Sequence, residues 1–397
     1  MALSKIDVAN MLTGATPVAN GGTAATTLAA AGLQRPNAKA IAINGDMTIS
    51  QRNTSKASIT SSGYYTVDRI RLGISSLGTW TSTQESLTSG NAYINGFSNA
   101  FKIDCTTADG SPGASDSLTI SQKFEGQDLQ LLKKGTANAE KITVAFWIKA
   151  TKTGTFIAEL YDHDNTRSCS KAYTVSSSNT WEHKVVNFPA DTTGALDDDN
   201  ANSLTLFLWQ GAGSNFTSGT LNTSWGSATN ANRAVGQVNN ADSTSNNVHI
   251  TGIQLEIGEF SSTTLPPFQH ESYADNLARC QRYFTMLVDG RPGSSNDNGV
   301  IGMGYCHTAN VNYFTGGGLP VQMRTAALSA FTVTGSGNYK AFRDSGEDYF
   351  DSIAIYDQES NQSFSFNCTG SVSSSLGEPC QIRLATTIDF VGVDAEL

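Results

Sequence analysis

Charge is scarce in this sequence. Asp, Glu, Lys and Arg make up only 15% of its 397 residues, too few to cover the exposed faces of a mostly helical enzyme. Thr, Ser, Asn and Gly are plentiful instead, and such side chains suit the solvent face of a β-sheet. The chain therefore reads as mainly β. Basic residues are scarcer still: 25 Lys and Arg against 35 Asp and Glu leave a net charge of −10. A nucleic-acid groove needs clustered cations against phosphate, so that class of partner is excluded. The few basic clusters, such as Lys133-Lys134, read as solvated turn residues. No run of 18 or more apolar residues occurs, which excludes a membrane-spanning helix and predicts no membrane insertion. The opening MALSKIDVAN has no basic segment followed by an apolar one, so synthesis in a host cytoplasm without a secretion signal is expected.

Chemistry-bearing motifs are missing as well. There is no GxSxG, HExxH, GxxxxGK[ST] or strand-borne GxGxxG, no repeat of 20–50 residues, and the five histidines have no ligand spacing. His183 and His249 fall in strand patterns, where a hydrogen-bonded structural imidazole is expected. Six cysteines, at 105, 169, 280, 306, 368 and 380, form no CxxC and read as free, buried thiols. Cys368 and Cys380 alone are close enough for a hairpin bridge. DHDN at 162–165 begins like a calcium loop but has Arg167 at position six and Tyr173 at position twelve. A solvated turn is favoured there and at Asp197-Asp198-Asp199, with a structural calcium left open. No catalytic residue, metal site or cofactor is predicted, and the chain is not expected to be an enzyme.

What is present falls into three parts. Residues 1–37 are rich in Ala, Thr and Gly and too poor in core residues to offset the entropy of ordering, so they read either as a floppy tail or as an extended arm that becomes ordered only against a partner or its own copies. Residues 38–268 are a succession of strand patterns punctuated by Gly, Asn, Asp and Ser. In KITVAFWIKA, Ile142, Val144, Phe146 and Ile148 share one face, and so do Leu204, Leu206 and Leu208 in SLTLFLWQG. That alternation predicts a two-sheet β-sandwich of jelly-roll type. Trp147, Trp181 and Trp209 lie in these apolar patterns and are expected in the core or between the sheets. After Pro266-Pro267, Tyr273, Leu277, Cys280 and Phe284 recur at helical spacing. A short helix is expected there, joining a smaller C-terminal β domain within 269–397. In that domain Tyr339, Phe342, Tyr349 and Phe350 could line a distal surface or a subunit interface. Between the last two sandwich strands lies a long, nearly uncharged loop, residues 211–247, of a length that is often functional.

Several segments resemble one family. LTGATPVANGGTAATTL is similar to N-terminal segments of bacteriophage tail-fibre proteins. INGDMTISQRNTS followed by YYTVDRIRL looks like the start of a sandwich module of phage tail and virion proteins. ITGIQLEIGEFSSTTLPPFQHESYADNLARCQRYF resembles the end of that module, and LPVQMRTAALS and TIDFVGVDAEL also fit. The resemblance implies a virion structural protein of the tail, usually trimeric, held to other tail proteins by residues 1–37. Its middle module resembles carbohydrate-binding jelly rolls. A sugar ring stacks its C–H face on an aromatic plane while amides and guanidinium groups bond its hydroxyls. Trp225, Asn222, Asn232 and Arg233 in the long loop are therefore the candidate site for a host-surface glycan, with Trp225 as a packing anchor the alternative. Host attachment by a tail-fibre subunit is the function expected. A purely structural tail or head decoration protein and a capsule-degrading tailspike are the competing classes.

Overall fold

The computed structural model describes residues 39–289, 299–308, 312–331, 337–344, 346–356, 360–369, 373, 375–386 and 390–397. The arm expected at residues 1–37 lies outside them. Among the described residues, strands dominate. The first twelve are β1 (Ser55–Ile59), β2 (Arg71–Ser75), β3 (Thr79–Ser86), β4 (Asn99–Thr107), β5 (Ser117–Glu125), β6 (Ile142–Ala150), β7 (Gly154–Asp162), β8 (Arg167–Val175), β9 (Glu182–Phe188), β10 (Asn202–Ala212), β11 (Gly226–Ser227) and β12 (Asn247–Ile257). They build two six-stranded sheets, in the orders β1-β3-β4-β12-β6-β9 and β11-β8-β7-β10-β5-β2. β4 lies beside β12, β5 beside β10, β6 beside β9 and β7 beside β8, all antiparallel. This nesting is a long hairpin rolled up on itself, a jelly roll.

Period-2 alternation explains the packing. Ile142, Val144, Phe146 and Ile148 of one sheet share a buried core with Leu204, Leu206 and Leu208 of the other, each such side chain contributing about 1.5–3 kcal/mol. β12 keeps facing the core by changing phase. Val248 and Ile250 point inward before Gly252, and Ile253, Leu255 and Ile257 do so after it. Gly252 takes φ +64° at the irregularity, a one-residue bulge that flips the strand's parity. Of the three tryptophans expected in the core or between the sheets, Trp181 and Trp209 are buried and Trp147 is only half-buried. Trp147 and Trp209 are out of phase with their inward neighbours and stand on the outer faces. Trp181 is buried with Leu87, Ala92 and Phe97 in a satellite cluster. The tryptophan of the main core is Trp80, whose indole donates to the Leu77 carbonyl at 2.8 Å.

Two short helices, α1 (Gly90–Ile94) and α2 (Ser214–Thr217), decorate the sandwich, and α3 (Tyr273–Gln281) leads out of it. Ser272 caps α3 by accepting from the Asp275 amide. Its buried face is Asn276 and Cys280, whereas Tyr273 is 62% exposed and Phe284 already belongs to the next strand, so the expected apolar stripe is corrected. Beyond it run β13 (Phe284–Asp289), β14 (Val300–Thr308), β15 (Asn312–Gly318), β16 (Ser329–Phe331), β17 (Tyr339–Arg343), β18 (Gly346–Phe350), β19 (Ile353–Ile355), β20 (Ser363–Thr369), β21 (Pro379–Leu384) and β22 (Phe390–Asp394). They form a three-stranded sheet, β13-β22-β16, and a seven-stranded one, β18-β17-β21-β14-β15-β20-β19, around a second core. All six cysteines are buried. Cys368 on β20 and Cys380 on β21 are separated by β14 and β15, so they form no hairpin pair.

The two cores meet at a junction of buried charge. Asn44 folds the INGDM turn by donating to the carbonyls of Ile49 and Asp68, 2.9 Å each. Gln51 then donates to Asp68 and, at 2.7 Å, to the Phe284 carbonyl. Arg52 reaches Asp394 at 2.9 Å and Glu396 at 3.3 Å with its guanidinium over the Phe284 ring. Arg69 pairs with Glu396, donates to the Lys123 carbonyl and lies 3.4 Å over the Tyr283 ring. Glu125 takes a fork from Arg282, at 2.8 and 2.6 Å, and the Tyr283 hydroxyl. Burial works against the charge on Arg52, yet Glu396, Asp394 and Asp68 hold its pKa above the ordinary value. Removing one partner of a buried ion pair strands the other. Arg69→Met is expected to lower stability by about 3 kcal/mol, the low end of the usual ~3–5 because Arg52 still reaches Glu396. Denaturant unfolding measures it, and a loss below ~1 kcal/mol would show that the junction tolerates an uncompensated carboxylate.

Candidate functional site

The long loop, residues 211–247, is a cover for the outer face of the second sheet. Ile157 and Trp209 stand outward there and are buried beneath Ala234, with Phe216 and Leu221 packed alongside. Arg233 closes this layer. Its guanidinium lies 4.7 Å from the Tyr161 ring centre and 5.3 Å from that of Trp209, and it forks onto Glu159 at 2.7 and 3.0 Å. Glu159 is fully buried, which pushes its pKa up while Arg233 opposes the rise. Asn222 donates to the Ser168 carbonyl at 2.9 Å. Asn232 accepts from the Thr220 amide at 3.0 Å. Trp225 donates from its indole to the Pro189 carbonyl at 2.8 Å, against the edge of the main core. The four residues singled out in this loop are thus in one segment, with Asn222, Asn232 and Arg233 on its inner hydrogen bonds and Trp225 at the opposite edge. Each has a polar group engaged in holding the loop down.

The acidic turn beside it is also built differently from its expected form. Asp162 and Lys134 are buried, not solvated. The Lys134 ammonium sits against Asp162, 2.9 Å from Asp191 and 2.8 Å from the Gly194 carbonyl, under the Trp225 ring. A protein ammonium therefore occupies the cation position among these oxygens. Asp197, Asp198 and Asp199 are exposed, as a solvated turn would be.

The first sheet's outer face carries a different feature, a cleft of about 400 Å³. Its floor is Trp147 and His183, directly paired across β6 and β9 with rings stacked at 4.9 Å, beside Gly252 and Gln254. One wall is Phe97, just after α1. A Cβ on Gly252 would come within 2.7 Å of the Phe97 ring, so the glycine bulge seats that wall. The other wall is the segment Leu265 to Phe268, tied to the sheet by Gln254, which donates to the Pro266 carbonyl at 3.1 Å. Phe97 and Phe268 meet edge to face at 4.9 Å, and His270 packs on both. Burial pushes the His183 imidazole below its ordinary pKa. Aromatic planes with amide and imidazole groups can stack a C–H face and bond hydroxyls. Alternation alone places Trp147 on this side. Phe97, Phe268 and His270 are remote in sequence and carry no local signal.

Next to the cleft, Trp181 packs edge-on to His249, whose Nε2 is 3.0 Å from Glu85. Burial, then Lys149, pushes the His249 pKa down to about 4 against the pull of Glu85. At neutral pH the contact is a hydrogen bond from a neutral imidazole and not an ion pair.

Two outcomes are expected. Trp225→Ala should lower stability by roughly 2 kcal/mol, about half the fully buried value, measured by denaturant unfolding. Unchanged stability would show that the Trp225 ring does not anchor the loop. A neutral His249 favours the folded state fully above pH 6.5 and less as acid takes the pH towards about 4, since the unfolded chain takes up the proton first. Urea midpoints between those pH values should fall for the wild type and fall less for His249→Gln. Parallel curves would remove His249 from the acid response.

No family model and no curated protein matches the chain. Several solved structures resemble it loosely. The enzymatically active domain of tailspike protein 4 of bacteriophage CBA120 is 12% identical, with a TM-score of 0.27 over 55% of this chain, which spans 21% of that one. TmCBM61 in complex with β-1,4-galactotriose is 9% identical over 55% of this chain and 99% of its own, with a TM-score of 0.26. The family 11 carbohydrate-binding module of a Clostridium thermocellum cellulosomal cellulase is 10% identical over 51% and 98%, with a TM-score of 0.25. All three superpositions are too loose to carry fold or function, and the jelly roll rests on the strand order itself.

Proposed function

We propose that the chain is a non-catalytic subunit of a phage tail that attaches the particle to a host-surface glycan held in the cleft over Trp147. The observation that carries this reading is the cleft itself, with aromatic rings on its floor and both walls and Gln254 and His183 between them. The tail assignment is supported by the resemblance of the segments from INGDMTISQRNTS to TIDFVGVDAEL. Residues 1–37 would engage other tail proteins. Binding without cleavage fits a lining of aromatic, amide and imidazole groups, since glycoside hydrolysis needs two carboxyl groups across the scissile bond. A single stacked ring contributes about 0.5–1.5 kcal/mol beyond area, so one site binds weakly. Three copies in a homotrimer would multiply it through avidity, and a monomeric mass in solution would remove that gain.

A structural reading is favoured by one observation. The outer face of the seven-stranded sheet exposes Met303, Tyr305, Phe342 and Tyr349, while Tyr339 and Phe350 of the same hairpin are buried and stacked. Such an apolar face suits contact with another virion protein. Trp147→Ala separates the two readings. Adsorption is expected to fall about fivefold per engaged site, the equivalent of ~1 kcal/mol, with the melting temperature held within a few degrees. Unchanged adsorption in a folded variant would leave only the structural role.

A further inference from the structure

We infer that the cleft over Trp147 selects an uncharged glycan and turns away sugars bearing carboxylate or sulfate groups. This rests on the glycan reading proposed above. The cleft's lining contains no Asp, Glu, Lys or Arg among the described residues. An anion entering it would shed water without meeting a guanidinium fork or an ammonium, the groups that make buried carboxylates and sulfates tolerable. Lysines on or beside the strands of the first sheet have partners of their own. Lys184 bonds Glu182 at 2.6 Å, Lys141 bonds Glu259 at 2.5 Å, and Lys102 bonds Asp104 at 3.0 Å. Lys149 lies 5.4 Å over the Trp181 ring.

Gln254 is 5% exposed and Glu256 3%. Both stand on the outer face of β12, and the Gln254 amide donates to the Glu256 carboxyl group at 3.2 Å. Two imidazoles, His183 and His270, also line the cleft; His183 could supply positive charge only when protonated, which burial opposes. What remains available to a ligand is apolar ring surface and uncharged donors and acceptors. Those match the C–H faces and hydroxyls of neutral hexoses and N-acetylhexosamines.

The test applies the full chain to an array of immobilised oligosaccharides. The probes are neutral hexose and N-acetylhexosamine oligomers beside uronic-acid, sialylated and sulfated ones. Wild-type protein should bind one or more neutral probes and lose that binding at least fivefold on Trp147→Ala. Binding should change less than about twofold between low and high salt, because no charge pair is there to be screened. Asn95→Arg, on the exposed rim, should add binding to acidic probes without removing the neutral one, and it keeps the test informative if the tryptophan variant fails to fold. Wild-type binding to acidic probes that Trp147→Ala abolishes would overturn the inference while leaving glycan recognition intact, as would a tenfold loss of neutral binding in high salt. No binding to any probe, with adsorption unaffected by Trp147→Ala, would overturn the recognition reading itself.

Discussion

Arg69 holds a backbone conformation that β-carbons disfavour, with φ at +68°, and directs its guanidinium between Glu396 and the Tyr283 ring. Around it, Arg52, Asp68, Glu125, Arg282 and Asp394 are drawn from five stretches of chain that are far apart in sequence. Each charge loses several kcal/mol of hydration on burial, and the loss is recovered only when all the partners arrive together. The interaction therefore favours one relative placement of the two cores over any other. Short segments carry it: SQR holds Gln51 and Arg52, VDR holds Asp68 and Arg69, RCQRYF holds Arg282 and Tyr283, and VDAEL holds Asp394 and Glu396. LPVQMR adds Arg324, which donates to the carbonyls of Ala395 and Glu396 at 2.7 and 3.1 Å. What those segments have in common is thus a structural junction.

With the junction set, the two outer faces of the sandwich are treated differently. The second sheet is roofed by residues 211–247, whose apolar side chains bury Trp209 and Ile157 and whose Arg233 neutralises Glu159. A long, nearly uncharged loop with one tryptophan is what such a roof requires, because its buried polar groups need partners close to the sheet. The first sheet receives only Phe97 and the segment through Phe268, which meet edge to face, and the cleft opens beside them over Trp147 and His183. Gly252 links these events. Its bulge keeps β12 in the core, and its missing side chain lets Phe97 lie against the strand.

Much of this was legible in the chain itself. Period-2 alternation identified the inward residues of β6 and β10, low charge with abundant Thr and Ser indicated sheets, and Pro266-Pro267 marked the exit from the sandwich. Alternation also held the outward placement of Trp147 and Trp209, although a tryptophan among apolar residues invites a core assignment. The helix at 273–281 was visible, but its inward face was not, because Asn276 is buried by hydrogen bonds to Asn44 and Asp46 and not by hydrophobicity.

The sequence by itself determined the class of fold, since the pairing of a strand's two faces with core and solvent is a local property of every second residue. It also determined the net charge of −10, since that is a matter of count. Tertiary structure decided everything that depends on long-range neighbours. Lys134 looks like a solvated turn residue until Asp162 and Asp191 close on it, and Trp225 looks available until Pro189 accepts its indole. The cleft joins Phe97, Trp147, His183 and Phe268 from four separate segments. Burial and hydrogen bonding of a side chain are set by atoms that the register and sheet order bring near, and neither can be read from spacing along the chain.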